Sequence, residues 1–323
     1  MRGGGILMKR WRRMLCGVLA GLALLCGCAG TAEDAGPDPA GLSSMEEQPE
    51  IPVNEKALTQ EDWKSMRVVA HAMGAADGRF ETNSLDAFLQ SYAAGQRVFE
   101  VDLQFTSDGH LVARHDWDQI SYYNLEQTYA EVMDWETFKA TPIAFFYTPL
   151  DADDLVALMR MYPDVYLVTD SKDTGEEAVR AQIRTLDAAV RAGGDPEVWD
   201  RIVVQIYHEE MYDWVSQEAP VINWIFTLYQ IADPDYEEIG RFCRSRHIPV
   251  VTMSSDRADR ENCAALHDSG CLVYLHTVNR LRTMLEMAWL ADGFYSDCVT
   301  QEQYKAALSG TNEMYLGELP VIE

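Results

Sequence analysis

Positive charge is scarce in this chain: 26 Lys and Arg stand against 52 Asp and Glu, a formal net charge of −26. Five of the basic residues (Arg2, Lys9, Arg10, Arg12 and Arg13) fall within the first 27 positions, which hold no acid, so the remainder carries −31. A field of that sign repels phosphate backbones and excludes nucleic acid as a partner; it argues equally against electrostatic adhesion to anionic lipid. An acidic surface serves solvation first, and no protein partner is evident. Paired cysteines are missing too. Of seven, Cys243, Cys263, Cys271 and Cys298 lie in the body of the chain, and none shows the CxxC spacing of a zinc site. Long apolar runs are also absent. The run from Leu15 to Gly27 falls short of the roughly 20 residues that cross a bilayer.

What that N-terminal run does resemble is an export signal. A basic stretch, a short apolar run and a small-residue site follow one another, and Leu25-Cys26-Gly27-Cys28 resembles a bacterial lipobox, in which the last cysteine is lipidated. Residues 1–27 are therefore expected to be a lipoprotein signal peptide, Cys28 the lipidation site and residues 28–60 a flexible acidic tether. Between Gly30 and Glu55 the composition is Ala, Gly, Pro, Ser and acids without helical or strand period, which buries too little apolar surface to order itself. The expectation is an exported protein, held by its lipid on the extracytoplasmic face of a bacterial cell membrane. Export permits disulfides, but the spacing of the four body cysteines leaves their pairing open.

Residues 61–323 read as one domain. Short β-branched runs recur at 67–71, 97–103, 164–170, 201–207, 222–228, 248–253, 271–277 and 293–297. Amphipathic stretches such as SLDAFLQSYAAG, EEAVRAQIRTLDAAVRAGG and NRLRTMLEMAWLADG separate them and end near glycines. Strands alternating with helices over about 250 residues predict an α/β fold, a (β/α)8 TIM barrel. LVARH at 111–115 is not a ninth stave. Only Thr106-Ser107-Asp108-Gly109 precedes it, and a parallel crossover needs about a dozen residues or more, so it must return as a β-hairpin inserted after the second strand. A four-residue turn would set Phe105 opposite His110 and Glu100 opposite His115, with Glu100, Asp102 and His115 on one side.

The chemistry-bearing residues gather around that hairpin. His71 and His115 bracket Glu100-Val101-Asp102. Two imidazoles serve as acid and base, paired carboxylates hold a divalent metal, and together they suit cleavage of a phosphodiester. His71, Asp102 and Asp170 sit at the last residues of their strand runs, where barrel active sites lie. Gln205, Tyr207, Tyr229 and His276 occupy or follow other strand ends and are expected to line the pocket.

In order along the chain come His71-Ala72-Met73-Gly74, Thr82-Asn83-Ser84 with Ala87-Phe88, Glu100-Val101-Asp102, Thr106-Ser107-Asp108-Gly109, His115-Asp116, Asp170-Ser171-Lys172, Thr277-Val278-Asn279 and Ser296-Asp297. This series resembles the glycerophosphodiester phosphodiesterases, whose pattern is His-Arg-Gly, Glu-Asn-Thr with Ala-Phe, Glu-x-Asp, Thr-x-Asp-Gly, His-Asp, Glu-x-Lys, Trp-Thr-Val-Asn and Thr-Asp. The resemblance implies a metal-dependent phosphodiesterase that hydrolyses glycerophosphodiesters or related phospholipid head-group diesters. It implies one divalent cation, Ca²⁺ or Mg²⁺, on Glu100, Asp102 and Asp170, acid–base work by His71 and His115, and a phosphate contact from Lys172. Three departures accompany it. The motif arginine is Ala72; the glutamate of Glu-Asn-Thr is Thr82, with Glu81 displaced by one position and expected to face elsewhere; and the third acid is the shorter Asp170. Arg79 and Arg114 are the candidates to replace the arginine. An Asp-x-Lys element also resembles the sphingomyelinase D-like phospholipases, which form cyclic phosphates, and loss of the arginine leaves open a catalytically weak phosphodiester-binding lipoprotein.

Overall fold

Strands that read as continuous β-branched runs need cover on both faces, and a closed parallel sheet ringed by helices provides it. The computed structural model describes residues 62–117 and 131–310. The staves are β1 Val68–Ala70, β2 Val98–Phe105, β4 Tyr166–Ser171, β5 Ile202–Ile206, β6 Asn223–Thr227, β7 Val250–Ser254, β8 Leu272–His276 and β9 Gly293–Ser296. They pair in parallel in that order, and β9 closes on β1 through Val68↔Phe294, Val69↔Tyr295 and Ala70↔Ser296. β3, Leu111–Ala113, pairs antiparallel to β2 outside the ring. The fold is a (β/α)8 barrel with a hairpin after its second strand. The signal peptide at 1–27, the tether at 28–60 and Cys28 lie outside the described residues. Among the described residues, no helix is long and apolar enough to cross a membrane.

The amphipathic stretches become helices at Leu85–Ala93, Glu176–Gly193 and Leu281–Met287. Ser84 caps the first, its Oγ accepting the Ala87 N–H at 3.1 Å. Gly194 ends the second in the left-handed conformation, whereas the third stops at Ala288, short of its glycine. Inside one end of the barrel, Trp63 is fully buried among Val69, Val98, Tyr166, Val168, Val203, Ile225, Val250, Tyr274 and Tyr295. Its indole N–H donates to Asn223 Oδ1 at 3.1 Å, so this 3₁₀ turn at Asp62–Ser65 plugs the N-terminal ends of the strands.

Two expectations about β2 need correction. The strand does not end at Leu103: it pairs with β4 as far as Leu103↔Ser171, then runs on to Phe105 against the hairpin. The hairpin register also differs by one residue, with Phe105 opposite Leu111 and Leu103 opposite Ala113. The cause is the loop. Thr106 pairs with His110, its N–H bonding the His110 carbonyl at 2.9 Å, while Gly109 N–H returns to Thr106 O at 3.0 Å. Ser107, Asp108 and Gly109 thus form a three-residue turn that needs Gly109 at φ +85°. In this register His115, had the strand continued, would fall on the face opposite Asp102. β3 stops at Ala113 instead, and the chain bends at His115.

Among the four body cysteines, Cys243, Cys263 and Cys271 are buried, Cys298 is partly buried, and none is disulfide-bonded. The Cys271 thiol donates to the Ile248 carbonyl at 3.9 Å.

Candidate active site

Strand alternation brings the acids together. Glu100 and Asp102 lie two apart on one face of β2, and Asp102 is in register with Asp170 of β4. Ligand oxygens of Glu100, Asp102 and Asp170 all lie within 4.8 Å of one another. Glu100 and Asp102 are 2% and 0% exposed, so water cannot dilute their repulsion. Burial and the charge of Asp102 push the Glu100 carboxyl well above the usual range. Asp170 is also pushed up, by burial more than Lys172 can offset. Burial works against the Asp102 charge as well, but Lys172, His115 and His71 together hold its pKa below the ordinary value.

Each acid is positioned by a specific partner. The Ala72 N–H donates to Glu100 Oε2 at 2.6 Å, while the other oxygen, Oε1, is buried with no hydrogen-bond partner among the described residues. Asn83 grips Asp102 twice, its Nδ2 donating to Oδ2 at 2.6 Å and its Oδ1 accepting the Asp102 N–H at 3.0 Å. Lys172 lies across Asp102 Oδ1 at 2.6 Å and Asp170 Oδ2 at 2.5 Å. Burial opposes its charge, but Asp102, Asp170 and Glu100 hold it protonated. Gln205 donates to Asp170 Oδ1 at 2.8 Å and accepts from the Tyr295 hydroxyl at 3.1 Å. An orphaned buried carboxylate oxygen inside a set of hard oxygen donors fits a divalent cation of the Ca²⁺ or Mg²⁺ type.

The histidines follow one plan. His71 opens the 3₁₀ turn after β1, with Nδ1 2.7 Å from Asp297 Oδ1 and Nε2 4.0 Å from Glu100 Oε2. His115 has Nδ1 2.7 Å from Asp116 Oδ2. A carboxylate only accepts, so in each pair Nδ1 carries the hydrogen. Burial disfavours the His71 imidazolium, yet the Asp297 hydrogen bond and the charges of Glu100, Asp297 and Asp102 raise its pKa to about 10. His115 comes near enough for its charge to act on both Asp102 and Glu81.

The structure also places residues that the sequence left without a role. Asp297 is itself held by Asn279, whose Nδ2 donates to Asp297 Oδ2 at 2.5 Å and whose Oδ1 accepts the Asp297 N–H at 2.8 Å. The signal lay in barrel closure: β1 pairing with β9 at Ala70↔Ser296 sets residue 71 beside residue 297. Glu81 is a correction. It does not face elsewhere, for its carboxyl pKa is raised by burial and by Asp297, and opposed by His71 and His115. Left-handed backbone at Glu81 (φ 57°) and Asn83 (φ 49°) accompanies that orientation. Ala72, at the position of the motif arginine, is fully buried. Arg114 is occupied with the Asp116 carbonyl and the Trp117 ring, 5.0 Å from its guanidinium carbon.

On the far wall, Tyr207 is buried with its hydroxyl 3.5 Å from Gln205 Nε2. The exposed Tyr229 ring stands 6.2 Å from that of His276. Burial, then repulsion from His71, pushes His276 down to about 4, and its buried Nε2 finds no partner among the described residues. The wall therefore adds a neutral imidazole to a pocket otherwise dominated by charge.

Known proteins share this architecture. A glycerophosphodiester phosphodiesterase from Parabacteroides distasonis ATCC 8503 superposes with a TM-score of 0.60 at 14% identity, over 76% of this chain and 98% of its own. A Silicibacter pomeroyi DSS-3 protein assigned to the glycerophosphoryl diester phosphodiesterases gives 0.61 at 20% identity, over 76% and 94%. An Oleispira antarctica phosphodiesterase, solved with the product sn-glycerol-3-phosphate, gives 0.59 at 15% identity, over 75% and 96%. The sequence model of the glycerophosphoryl diester phosphodiesterase family matches residues 74–300. With most of the barrel inside that match, the chain belongs to the glycerophosphoryl diester phosphodiesterase family and is a phosphoric diester hydrolase.

Proposed function

We propose that this enzyme hydrolyses glycerophosphodiesters or related phospholipid head-group diesters with one divalent cation, Ca²⁺ or Mg²⁺, on Glu100, Asp102 and Asp170. The observation that carries the reading is the convergence of three acids, Glu100 and Asp102 buried and Asp170 partly so, with the orphaned Glu100 Oε1 among their oxygens, beside His71. A cation bound there supplies Lewis-acid polarisation of the phosphoryl oxygens and balances the carboxylates. Lys172, already poised on Asp102 and Asp170, turns its ammonium to a phosphoryl oxygen as substrate enters. That contact opposes the charge gathering in the transition state. His71 and His115, each with an acid on Nδ1, divide the proton transfers. One takes the proton of the attacking nucleophile and the other protonates the leaving alkoxide. Gln205, Tyr207 and His276 line the substrate side. The lipobox-like segment ending at Cys28 supports an exported lipoprotein anchored at the extracytoplasmic membrane face.

Chelation tests the reading. Activity on a glycerophosphodiester is expected to disappear in excess EDTA and return with Ca²⁺ or Mg²⁺, because three carboxylates within 4.8 Å of one another, two of them buried, do not all ionise together without compensating positive charge. Full activity of a protein shown by elemental analysis to be metal-free contradicts it. Phosphorus NMR of the product separates hydrolysis, which yields a phosphomonoester, from attack by a substrate hydroxyl. The latter yields a cyclic phosphate and corresponds to the sphingomyelinase D-like alternative that Asp170-Ser171-Lys172 suggests.

A further inference from the structure

Nine large hydrophobic side chains are exposed among the described residues, and four of them, Val132, Trp135, Phe145 and Phe146, come from residues 131–147. The two phenylalanines are 60% and 73% exposed. They sit on a tight turn closed by Ile143 N–H to Tyr147 O at 2.8 Å and Tyr147 N–H to Ile143 O at 2.9 Å. Ala144 (φ 48°) and Phe145 (φ 70°) hold left-handed backbone there. Such a turn favours Gly or Asn, and a bulky aromatic in that conformation is strained. Local propensity therefore does not account for an aromatic pair at this tip.

The tip stands at the active-site end of the barrel. The Tyr147 hydroxyl donates to Ala76 O at 3.1 Å, Leu85 N–H donates to Thr148 O at 3.1 Å, and Ser84 bridges Pro149. These bonds fix it to the loop that begins with His71 and ends at helix Leu85–Ala93. The exposed Tyr229, just past β6, lies on the same end.

We propose that Phe145 and Phe146 form a wedge that inserts into a lipid surface of zwitterionic head groups and turns the mouth of the barrel toward it. The inference rests on the anchored phosphodiesterase reading above. Two protruding rings on a turn offer little of the roughly 1,000 Å² that a specific protein interface needs, but they suit shallow insertion at a head-group boundary. A net charge of −31 beyond residue 27 removes electrostatic attraction to anionic lipid, so contact must come from apolar side chains. The tether joins the barrel at Asp62–Ser65, beside the Trp63 plug and opposite the site. The tether expected at residues 28–60 from composition alone would, as a random coil, reach roughly 30 Å root-mean-square, enough to hold the enzyme near a bilayer without choosing which end faces it. The aromatic tip would make that choice.

The test uses the full processed protein, purified from membranes and reconstituted with phosphatidylcholine vesicles whose acyl chains carry a photoactivatable group. After irradiation, mass spectrometry maps the lipid adducts. Adducts are expected to concentrate on the peptide holding residues 142–148 and to fall at least ~10-fold in the Phe145→Ser/Phe146→Ser variant, given the apolar surface removed. Turnover of a water-soluble glycerophosphodiester by that variant should equal wild type, showing that fold and site are intact. Adducts absent from this peptide in the wild type, or undiminished in the variant, overturn the wedge. Wild-type protein that turns over no diester, yet labels at the tip, counts against the phosphodiesterase reading and leaves the wedge standing.

Discussion

The two ends of the barrel interior differ by a shift of two residues on every stave. Around Trp63 lie Val69, Val98, Val168, Val203, Ile225, Val250, Tyr274 and Tyr295. Two positions on, and so on the same face, come His71, Glu100, Asp170, Gln205, Thr227, Thr252, His276 and Asp297. Every strand thus passes from a closely packed apolar layer to a polar one, and β2 adds Asp102 one layer higher. The apolar end gains stability by removing carbon from water. The polar end crowds like charges, so that burial and neighbouring acids raise the Glu100 and Asp170 carboxyls above their usual range. Stability and chemistry are separated along the strand axis, which allows loops at one end to vary while the other end holds the ring closed.

This division can be broken experimentally. Trp63→Ala, which empties the largest plug of the apolar end, is expected to cost about 3–5 kcal/mol of stability in urea unfolding. The kcat of the folded fraction should stay near wild type. Normal stability with a collapsed kcat would show that the two ends are not separable. A smaller effect, of opposite character, is expected at the polar end. Asp297→Asn removes the charge that orients His71 through Nδ1 and should lower kcat about 10²-fold, the order of a positioned acid or base. KM and unfolding midpoint should change little, and NMR titration should find the His71 pKa lowered. A fall in stability with unchanged kcat would make Asp297 a purely structural residue.

The smallest effect is a pH dependence. His276 is pushed from 6.5 to about 4 by burial, so between those values the unfolded chain binds the extra proton and the folded one does not. The stability this provides is complete above pH ~6.5 and is lost as pH falls from there through ~4. His276→Gln should flatten that part of the stability–pH curve measured by denaturant titration. An unchanged slope would place the acid sensitivity in the carboxylate cluster instead.

Much of the barrel was legible because its strands are β-branched runs with helical periods between them; each of the eight runs overlaps a stave. The acids Glu100 and Asp102 were legible as a pair because a strand repeats every two residues. What could not be read depended on backbone choices with no residue signature. The Asp108-Gly109 turn suits a three- or four-residue loop equally, and the shorter loop shifted the hairpin by one position. Glu81 and Asn83 adopt positive φ without being glycines, so nothing in the sequence marks Glu81 as turned toward the site. Asp297 was visible as part of a motif, but its role needs the register of β9 on β1, which exists only once the ring has closed.

The central claim is that His71 and His115 divide acid and base duties at the polar end, and leaving-group dependence tests it most directly. The measurement is kcat for His71→Ala and His115→Ala on an alkyl glycerophosphodiester and on a nitrophenyl phosphodiester. The account predicts losses of at least ~10²-fold for both variants on the alkyl substrate. It also predicts that one variant, the one lacking the acid, is largely rescued on the nitrophenyl substrate, whose leaving group needs no proton. Near-wild-type turnover by either variant on the alkyl diester, or equal rescue of both on the nitrophenyl diester, would contradict it.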